Sequence, residues 1–294
     1  MLRENFSELQ NAPPFGHYSP PTWCRLLISL CQQLPTRSWF GKRLAFILRK
    51  PILLRQQAPI DITSSGVKFR LYPQKNLSDK RLLCTPDLLD GIERSYFTKV
   101  LPENAVIFDI GANIGGYGLM LASTRKDVKV YCVEADPHIA KRLNLHIEFN
   151  ALAKQCYCIQ AAAAPQNGHV ELFLDSQNQG RNSLMEKFVN QDKLSKQTPA
   201  SVQVPAYTLE SLMSMNEVEN IQLLKMDIEG FELPVLQQFF EKVDRARWPD
   251  FIQLEQHRLE SKNDAVLLAL QVGYRQVFQT RMNIVLQKSH SAST

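Results

Sequence analysis

The strongest constraint on this chain is a regular alternation of short apolar runs and helical stretches, opened by an acidic, glycine-rich turn. Ala105 to Ile110 reads as a short buried strand with an acid at its penultimate position. It runs directly into Gly111-Ala112-Asn113-Ile114-Gly115-Gly116-Tyr117-Gly118. The spacing predicts a helix from about Tyr117 to Thr124, a strand over Val128–Val133 and a helix over Pro137–Asn150, where proline suits the first turn. A third strand is expected over Cys156–Ala163. His169–Leu174 and Val202–Tyr207 alternate like added antiparallel strands. Ile221–Met226 is a buried strand followed by a helix from about Leu233. Phe251–Leu254 is a strand, Asp264–Gln271 a helix, and Tyr274–Gln279 with Met282–Gln287 a closing hairpin. Such alternation implies an α/β fold, Rossmann-like, with a mostly parallel sheet, helices on both faces and an antiparallel C-terminal hairpin. In such sheets ligands bind beyond the carboxyl ends of the strands, where strand order reverses. The chemistry is therefore expected just after Ile110, Val133, Met226 and Leu254.

With 294 residues, 44% hydrophobic and 21% charged, the chain is globular in composition and long enough for one large core. Residues 1–64 read as a helical, basic extension, interrupted at Pro35 and Pro51, and residues 65–294 as the main domain. In the stretch Trp39 to Leu54 apolar residues alternate with Lys and Arg, and Arg37, Lys42, Arg43, Arg49, Lys50 and Arg55 supply much of the net charge of +5. A cap packed on the main domain and a solvated face are the expected roles, with peripheral membrane contact as the alternative. Val67–Tyr72 alternates as a half-buried strand, and a helical stretch follows around Leu88 to Leu101. No secretory signal or membrane span is expected, since Leu26–Cys31 is far shorter than the roughly 20 apolar residues a span needs. The six cysteines form no C-x-x-C pair and read as ordinary thiols of a reducing, cytoplasmic compartment.

The first turn carries Gly111-x-Asn113-x-Gly115 rather than the G-x-G-x-x-G that passes a pyrophosphate over a dinucleotide-binding turn. The glycines permit a tight turn and close approach of backbone to a ligand. A buried carboxylate at Asp109 opposes a pyrophosphate and suits the ammonium of a methionine-type ligand. The second strand ends Val133-Glu134-Ala135-Asp136-Pro137, and Glu134 is placed to accept two ribose hydroxyls. An NAD-linked oxidoreductase would also use such an acid, so the first turn decides against that class.

These motifs resemble the FkbM family of S-adenosylmethionine-dependent methyltransferases. The resemblance extends from Phe69-Arg70-Leu71-Tyr72-Pro73 through Tyr207-Thr208-Leu209-Glu210-Ser211-Leu212 and Leu224–Glu232 to Leu254-Glu255-Gln256-His257, covering roughly residues 65 to 285. It implies a class I methyltransferase fold and S-adenosyl-L-methionine held by Asp109, Gly111, Ala112, Asn113, Gly115, Tyr117, Glu134 and Ala135. It also implies methyl transfer, commonly to oxygen, on sugar, lipid or secondary-metabolite acceptors.

Asp227, Glu229 and Glu232 cluster after the fourth core strand, and Glu255 and His257 after its neighbour. One reading makes one of these five the general base that removes the acceptor's hydroxyl proton. A second makes Asp227, Glu229, Glu255 and His257 ligands of a divalent metal such as Mg. A third makes some of them helix caps or partners of Lys225. The polar segment Asp175–Leu184 reads as a loop over the acceptor, with Arg181 able to hold an anion. So dense an acidic group opposes nucleic acid as a partner, and the Asn/Asp-Pro-Pro-Tyr/Phe element of nucleic-acid amino methyltransferases is missing after the fourth strand. A non-catalytic S-adenosylmethionine sensor has no use for converging acids and a histidine, which places the enzyme reading first.

Overall fold

A computed structural model describes residues 12–55, 59–74, 76–175, 182–184, 200–228, 230–255 and 264–289. Two helices, α1 (Thr22–Gln33) and α2 (Trp39–Arg55), precede a hairpin of β1 (Ile60–Ser64) and β2 (Val67–Leu71). Then come α3 (Leu77–Cys84), α4 (Gly91–Val100), β3 (Val106–Ile110), α5 (Gly118–Thr124), β4 (Lys129–Glu134), α6 (Pro137–Phe149) and β5 (Cys156–Gln160). The chain continues through β6 (Ala162–Ala163), β7 (Gly168–Leu174), β8 (Ala200–Tyr207), α7 (Leu209–Met215), β9 (Leu223–Met226) and α8 (Glu232–Lys242). It closes with β10 (Phe251–Glu255), α9 (Asp264–Gln271), β11 (Tyr274–Gln279) and β12 (Asn283–Lys288).

The main sheet has seven strands in the order β11-β12-β10-β9-β3-β4-β5. From β5 to β10 neighbouring strands are parallel, and β12 runs antiparallel to both β10 and β11. The chain enters at β3, builds outward to β5, then crosses back to β9 on the other side of β3. That reversal opens a crevice above the carboxyl ends of β3 and β9.

Both faces of the sheet are buried, so each strand divides its side chains by twos. Ile107, Val130 and Cys132 pack with Phe97 of α4, Leu119 of α5 and Leu143 of α6. Phe108, Ile110, Tyr131 and Val133 face the other way, onto Leu212 of α7, Leu236 and Phe239 of α8 and Ala269 of α9. Local signals place α6: Asp136 caps it, its Oδ1 accepting the His138 N–H at 2.7 Å, and Pro137 fills the first turn.

The third strand departs from expectation. The main-sheet strand stops at Gln160, and Ala162–Ala163 pairs in parallel with β8 in a separate three-stranded sheet, β6-β8-β7. Small side chains at Ala161–Ala164 let the chain change sheets with little to rebury, and β7 and β8 extend this second sheet rather than the main one.

Near the N-terminus, α2 continues through Pro51, where a break was expected; Pro51 is solvent-exposed, so the carbonyl its missing N–H leaves unmatched is not forced into an apolar interior. The boundary expected between residues 64 and 65 falls in the turn of the β1–β2 hairpin. Cys24, Ile28, Ile52 and Ile60 share one buried cluster with Ile107 and Leu119, so the N-terminal helices are continuous with the main core. A buried ion pair crosses the 64/65 boundary, with Arg70 Nε 2.8 Å from Asp61 Oδ1, and a second, Arg142 with Asp79, ties α6 to α3. Among the described residues no helix is long and apolar enough to cross a membrane, and five of the six free cysteines are buried.

Candidate functional site

Above the carboxyl ends of β3, β4, β9 and β10 lies a cleft of about 410 Å³. Its wall on one side is the turn that leaves β3. Gly111 and Ala112 donate their N–H groups to Val133 O at 2.9 and 3.0 Å, and Asn113 stands in the left-handed region at φ 51°. Gly111 is also left-handed, at φ 74°, and the space of its missing Cβ is filled by the carbonyl of Asp227. At Gly115, φ 85°, that space is filled by Leu119 and Leu143. At both glycines the space a Cβ would need is taken by the protein's own atoms; Gly111 also lines the cleft, while Gly115 does not. Asn113 braces the turn: its Oδ1 accepts from Asn76 Nδ2 and from the Ile114 N–H, both at 2.9 Å.

Glu134 ends β4 at the edge of the cleft. Its Oε2 accepts the Asn113 N–H and its Oε1 the Asp136 N–H, each at 2.8 Å. Both oxygens are thus fixed by backbone, and each keeps an acceptor site for another donor. Burial pushes its carboxyl up to about 7, against those two N–H groups. Gly111, Ala112, Asn113, Tyr117, Glu134 and Ala135, all expected at the cofactor, line the cleft.

Asp109 does not line it. Asp109 is fully buried beneath the turn, where Oδ2 accepts the Gly118 N–H at 3.1 Å and Oδ1 lies 3.1 Å from Lys225 Nζ. The ammonium facing this carboxylate belongs to the protein. In register, Asp109 of β3 stands opposite Lys225 of β9, and Lys225 opposite Gln253 of β10. Tyr117 completes the row, donating its hydroxyl to Gln253 Oε1 at 2.8 Å. Lys225 also donates to Gly111 O at 3.3 Å and lies 3.6 Å from Asp227 Oδ2. Burial opposes its charge, but Asp109, Asp227 and Asp90 outweigh burial and hold its pKa above the ordinary lysine value. Lys225 lines the cleft, a role the sequence reading did not give it; a lone lysine within Leu223-Leu224-Lys225-Met226, opposite an acid in an adjacent strand, was the available signal.

Asp90 is a second residue the sequence reading missed. It precedes α4 in the left-handed region, at φ 52°, lines the cleft, and accepts from Asn283 Nδ2 at 2.7 Å. Burial raises its carboxyl to about 6, with Lys225 opposing. Its sequence signal is faint: an Asp-Gly pair, which marks a turn in any protein.

Of the acidic group expected around the acceptor, Asp227 and Glu255 line the cleft. Glu232 does not: it is buried in the first turn of α8, and its Oε1 accepts the Ile228 N–H at 3.1 Å, as acids at helix starts commonly do. Glu229, His257 and Arg181 lie outside the described residues. Of the segment expected to form a loop over the acceptor, Asp175 and residues 182–184 are described. Asn182, Ser183 and Leu184 line the cleft, and Asn182 Nδ2 donates to Asp136 Oδ2 at 2.7 Å. Leu77, Ser78 and Arg81 of α3 form the opposite rim. Among the described residues no three His, Cys, Asp or Glu side chains are grouped to hold a metal ion.

The cleft thus joins a polar edge at Glu134 to Asp90 and Asp227, which, with Asp109 buried beneath the floor, surround the ammonium of Lys225. Small apolar side chains, among them Ala135, Ala161 and Ala162, lie between. Its net negative charge favours a cationic ligand and opposes a pyrophosphate.

The sequence matches the family model described as the methyltransferase FkbM domain over residues 109–276. Among curated proteins it has no match. Among solved structures it is similar to the precorrin-6y C5,15-methyltransferase of Geobacter metallireducens GS-15, at 12% identity and TM-score 0.42, over 69% of this chain and 88% of that one. It is also similar to TYW2 of M. jannaschii, solved in complex with AdoMet, at 15% identity and TM-score 0.42, over 80% and 88% of the two chains.

Proposed function

This chain belongs to the FkbM-domain methyltransferases, and on that premise we propose that it transfers the methyl group of S-adenosyl-L-methionine to a hydroxyl oxygen. The acceptor class proposed is a sugar, lipid or secondary-metabolite molecule. The observation that carries the reading is the charge layout of the cleft: a backbone-fixed Glu134 at one end, and Asp90 and Asp227 beside Lys225 at the other.

The residues present fit such a cofactor. Glu134 has two acceptor sites left for a ribose diol, while its backbone bonds hold both oxygens in place. The alanines leave room for a flat base. The excess of carboxylates over cationic groups in the cleft lining suits a ligand with a sulfonium and an α-ammonium group. When bound, S-adenosylmethionine supplies an electrophilic methyl group.

The chain's own part on the acceptor side is to hold a hydroxyl and take its proton. Asp90 is suited to this, because a carboxyl raised to about 6 is ionised at neutral pH yet more basic than an exposed aspartate. With Oδ1 engaged by Asn283, Oδ2 is the atom that would receive the proton. Asp227 and Glu255 would orient the acceptor, and Glu229 and His257 follow them in sequence closely enough to take part. Glu232 is left out of this scheme, since its carboxylate holds the Ile228 backbone.

Calorimetric titration with S-adenosylmethionine and with NAD, followed by an acceptor screen with and without magnesium, tests the proposal. Micromolar binding of the former only, lost in Glu134→Ala, is the expected result. Binding of NAD, or no effect of Glu134→Ala, would overturn it.

A further inference from the structure

Helix α2 is apolar on more than one side. Gly41, Ala45 and Ile52 are buried against the protein, which accounts for one face. The opposite side carries Trp39 at 71% exposure, Phe40 at 69%, Ile47 at 54% and Leu54 at 83%. On α1, Leu26 at 67% and Leu30 at 49% are exposed as well. Scattered exposed apolar residues need no explanation, but these are not scattered. Of the fourteen large apolar residues exposed among the described residues, eight lie on α1 and α2.

The charges of the same segment are one-sided. Between residues 12 and 55 stand Arg25, Arg37, Lys42, Arg43, Arg49, Lys50 and Arg55, without a single Asp or Glu. Several of these cations lie over the aromatic rings: Arg43 is 5.3 Å from the centroid of Trp39, Arg49 4.7 Å from Phe46, and Arg55 5.8 Å from Trp23. Water favours neither exposed tryptophan and phenylalanine nor a concentration of like charge. The boundary of an anionic bilayer favours both, because aromatic rings settle at headgroup depth and basic side chains reach the phosphates.

We infer that the α1–α2 hairpin docks this protein on an anionic phospholipid surface, with Trp39, Phe40, Ile47 and Leu54 entering the headgroup region. The other occupant of an apolar face, a second copy of the chain, would bring seven more basic groups against these, which opposes self-association. Placement adds to the case: α1 is held to α3 by Gln32 Nε2, which donates to Leu83 O at 3.0 Å, and α3 in turn lines the cleft with Leu77, Ser78 and Arg81. The lipid-facing helices are therefore joined through one helix to the cleft rim. Docking itself does not depend on the methyl-transfer reading.

The test is co-sedimentation of the full chain with phosphatidylcholine vesicles and with vesicles that also contain phosphatidylglycerol. Tryptophan emission and sedimentation equilibrium in free solution accompany it. Expected are binding to the anionic vesicles alone, weakened by high salt, and a blue shift of emission on binding. Trp39→Ala/Phe40→Ala and Arg43→Glu/Lys50→Glu should each lower binding by about tenfold or more, since they remove the apolar and the charged part separately. Their melting temperatures should match the parent, because all four side chains are solvent-exposed. Absence of binding to anionic vesicles would overturn the inference, as would binding unchanged in the Trp39→Ala/Phe40→Ala variant. A dimer in solution that this same variant dissociates would assign the face to a second copy and overturn it equally.

Discussion

Asp109 and Lys225 face each other across adjacent parallel strands, and the Lys225 ammonium lies 3.1 Å from the buried Asp109 carboxylate. Neither would be tolerated alone at this depth, since an unpaired charge in a protein interior is strongly disfavoured. Together they form a buried pair under the turn that begins the cleft. Lys225 extends the pair outward to Asp227, so a change in the floor is felt at the cleft wall.

Removing one member of the pair should therefore cost more than removing both. Lys225→Met leaves Asp109 buried without its cation and is expected to lower unfolding free energy by about 3–5 kcal/mol. Adding Asp109→Asn should restore part of that loss. Urea denaturation of the two single variants and the double variant measures the coupling. Strict additivity would show that the two groups do not depend on each other.

At Gly111 the left-handed φ of 74° and the Asp227 carbonyl in the Cβ position act together. Gly66 has a similar φ, 81°, with open space around it. Gly66→Ala should then cost only the conformational part, about 1 kcal/mol. Gly111→Ala must also push β3 and β9 apart where they meet the turn, and should cost several times more, with ligand affinity falling alongside. Equal melting temperatures for the two variants would remove the close approach from the account.

How far the sequence went depended on the range of the interactions. Strands buried on both faces, the Asp136-Pro137 helix start and the acid at Glu134 are local signals, and the structure has each where the pattern put it. The departure at Ala161 was illegible because alanine fits either sheet and the choice rests on β8, some forty residues on. Asp109 was seen as a buried acid but given the wrong neighbour, since its partner lies across a crossover at Lys225. Asp90 came from outside the strand–helix repeat altogether, and only the tertiary fold brings it to the cleft.

Glu134 carries a pH dependence whose sign follows from its environment. Its carboxyl is pushed up to about 7, above the ordinary glutamate value, so the neutral form is the one folding favours. Stability from this source is present below the unfolded pKa and is lost as pH rises through about 7. Ligand hydroxyls that donate to Glu134 require the ionised form, so cofactor affinity should move the opposite way. S-adenosylmethionine should bind about tenfold more tightly per pH unit up to about pH 7 and level off above it. Calorimetry across that range checks this, and a flat profile would separate Glu134 from the bound diol.

Asp90 should set stability against activity. Its carboxyl, raised to about 6, contributes stability below the unfolded aspartate pKa that is lost as pH rises through about 6. At pH 8 the folded protein therefore holds an ionised group it disfavours. Asp90→Asn removes that charge, keeps an acceptor for Asn283 Nδ2, and places asparagine in a left-handed position, which asparagine tolerates well. The variant should melt at a higher temperature than the parent at pH 8, with the difference shrinking toward pH 4. If Asp90 takes the acceptor proton, methyl transfer should fall by roughly 10²–10⁴-fold in the same variant. The parent's rate should rise with pH through about 6, and that limb should vanish on substitution, with S-adenosylmethionine affinity nearly unchanged. Thermal melts and pH–rate profiles on both proteins decide the matter: a variant that loses stability and activity together would make Asp90 a structural residue, and full activity would move the proton to Asp227, Glu255 or their neighbours.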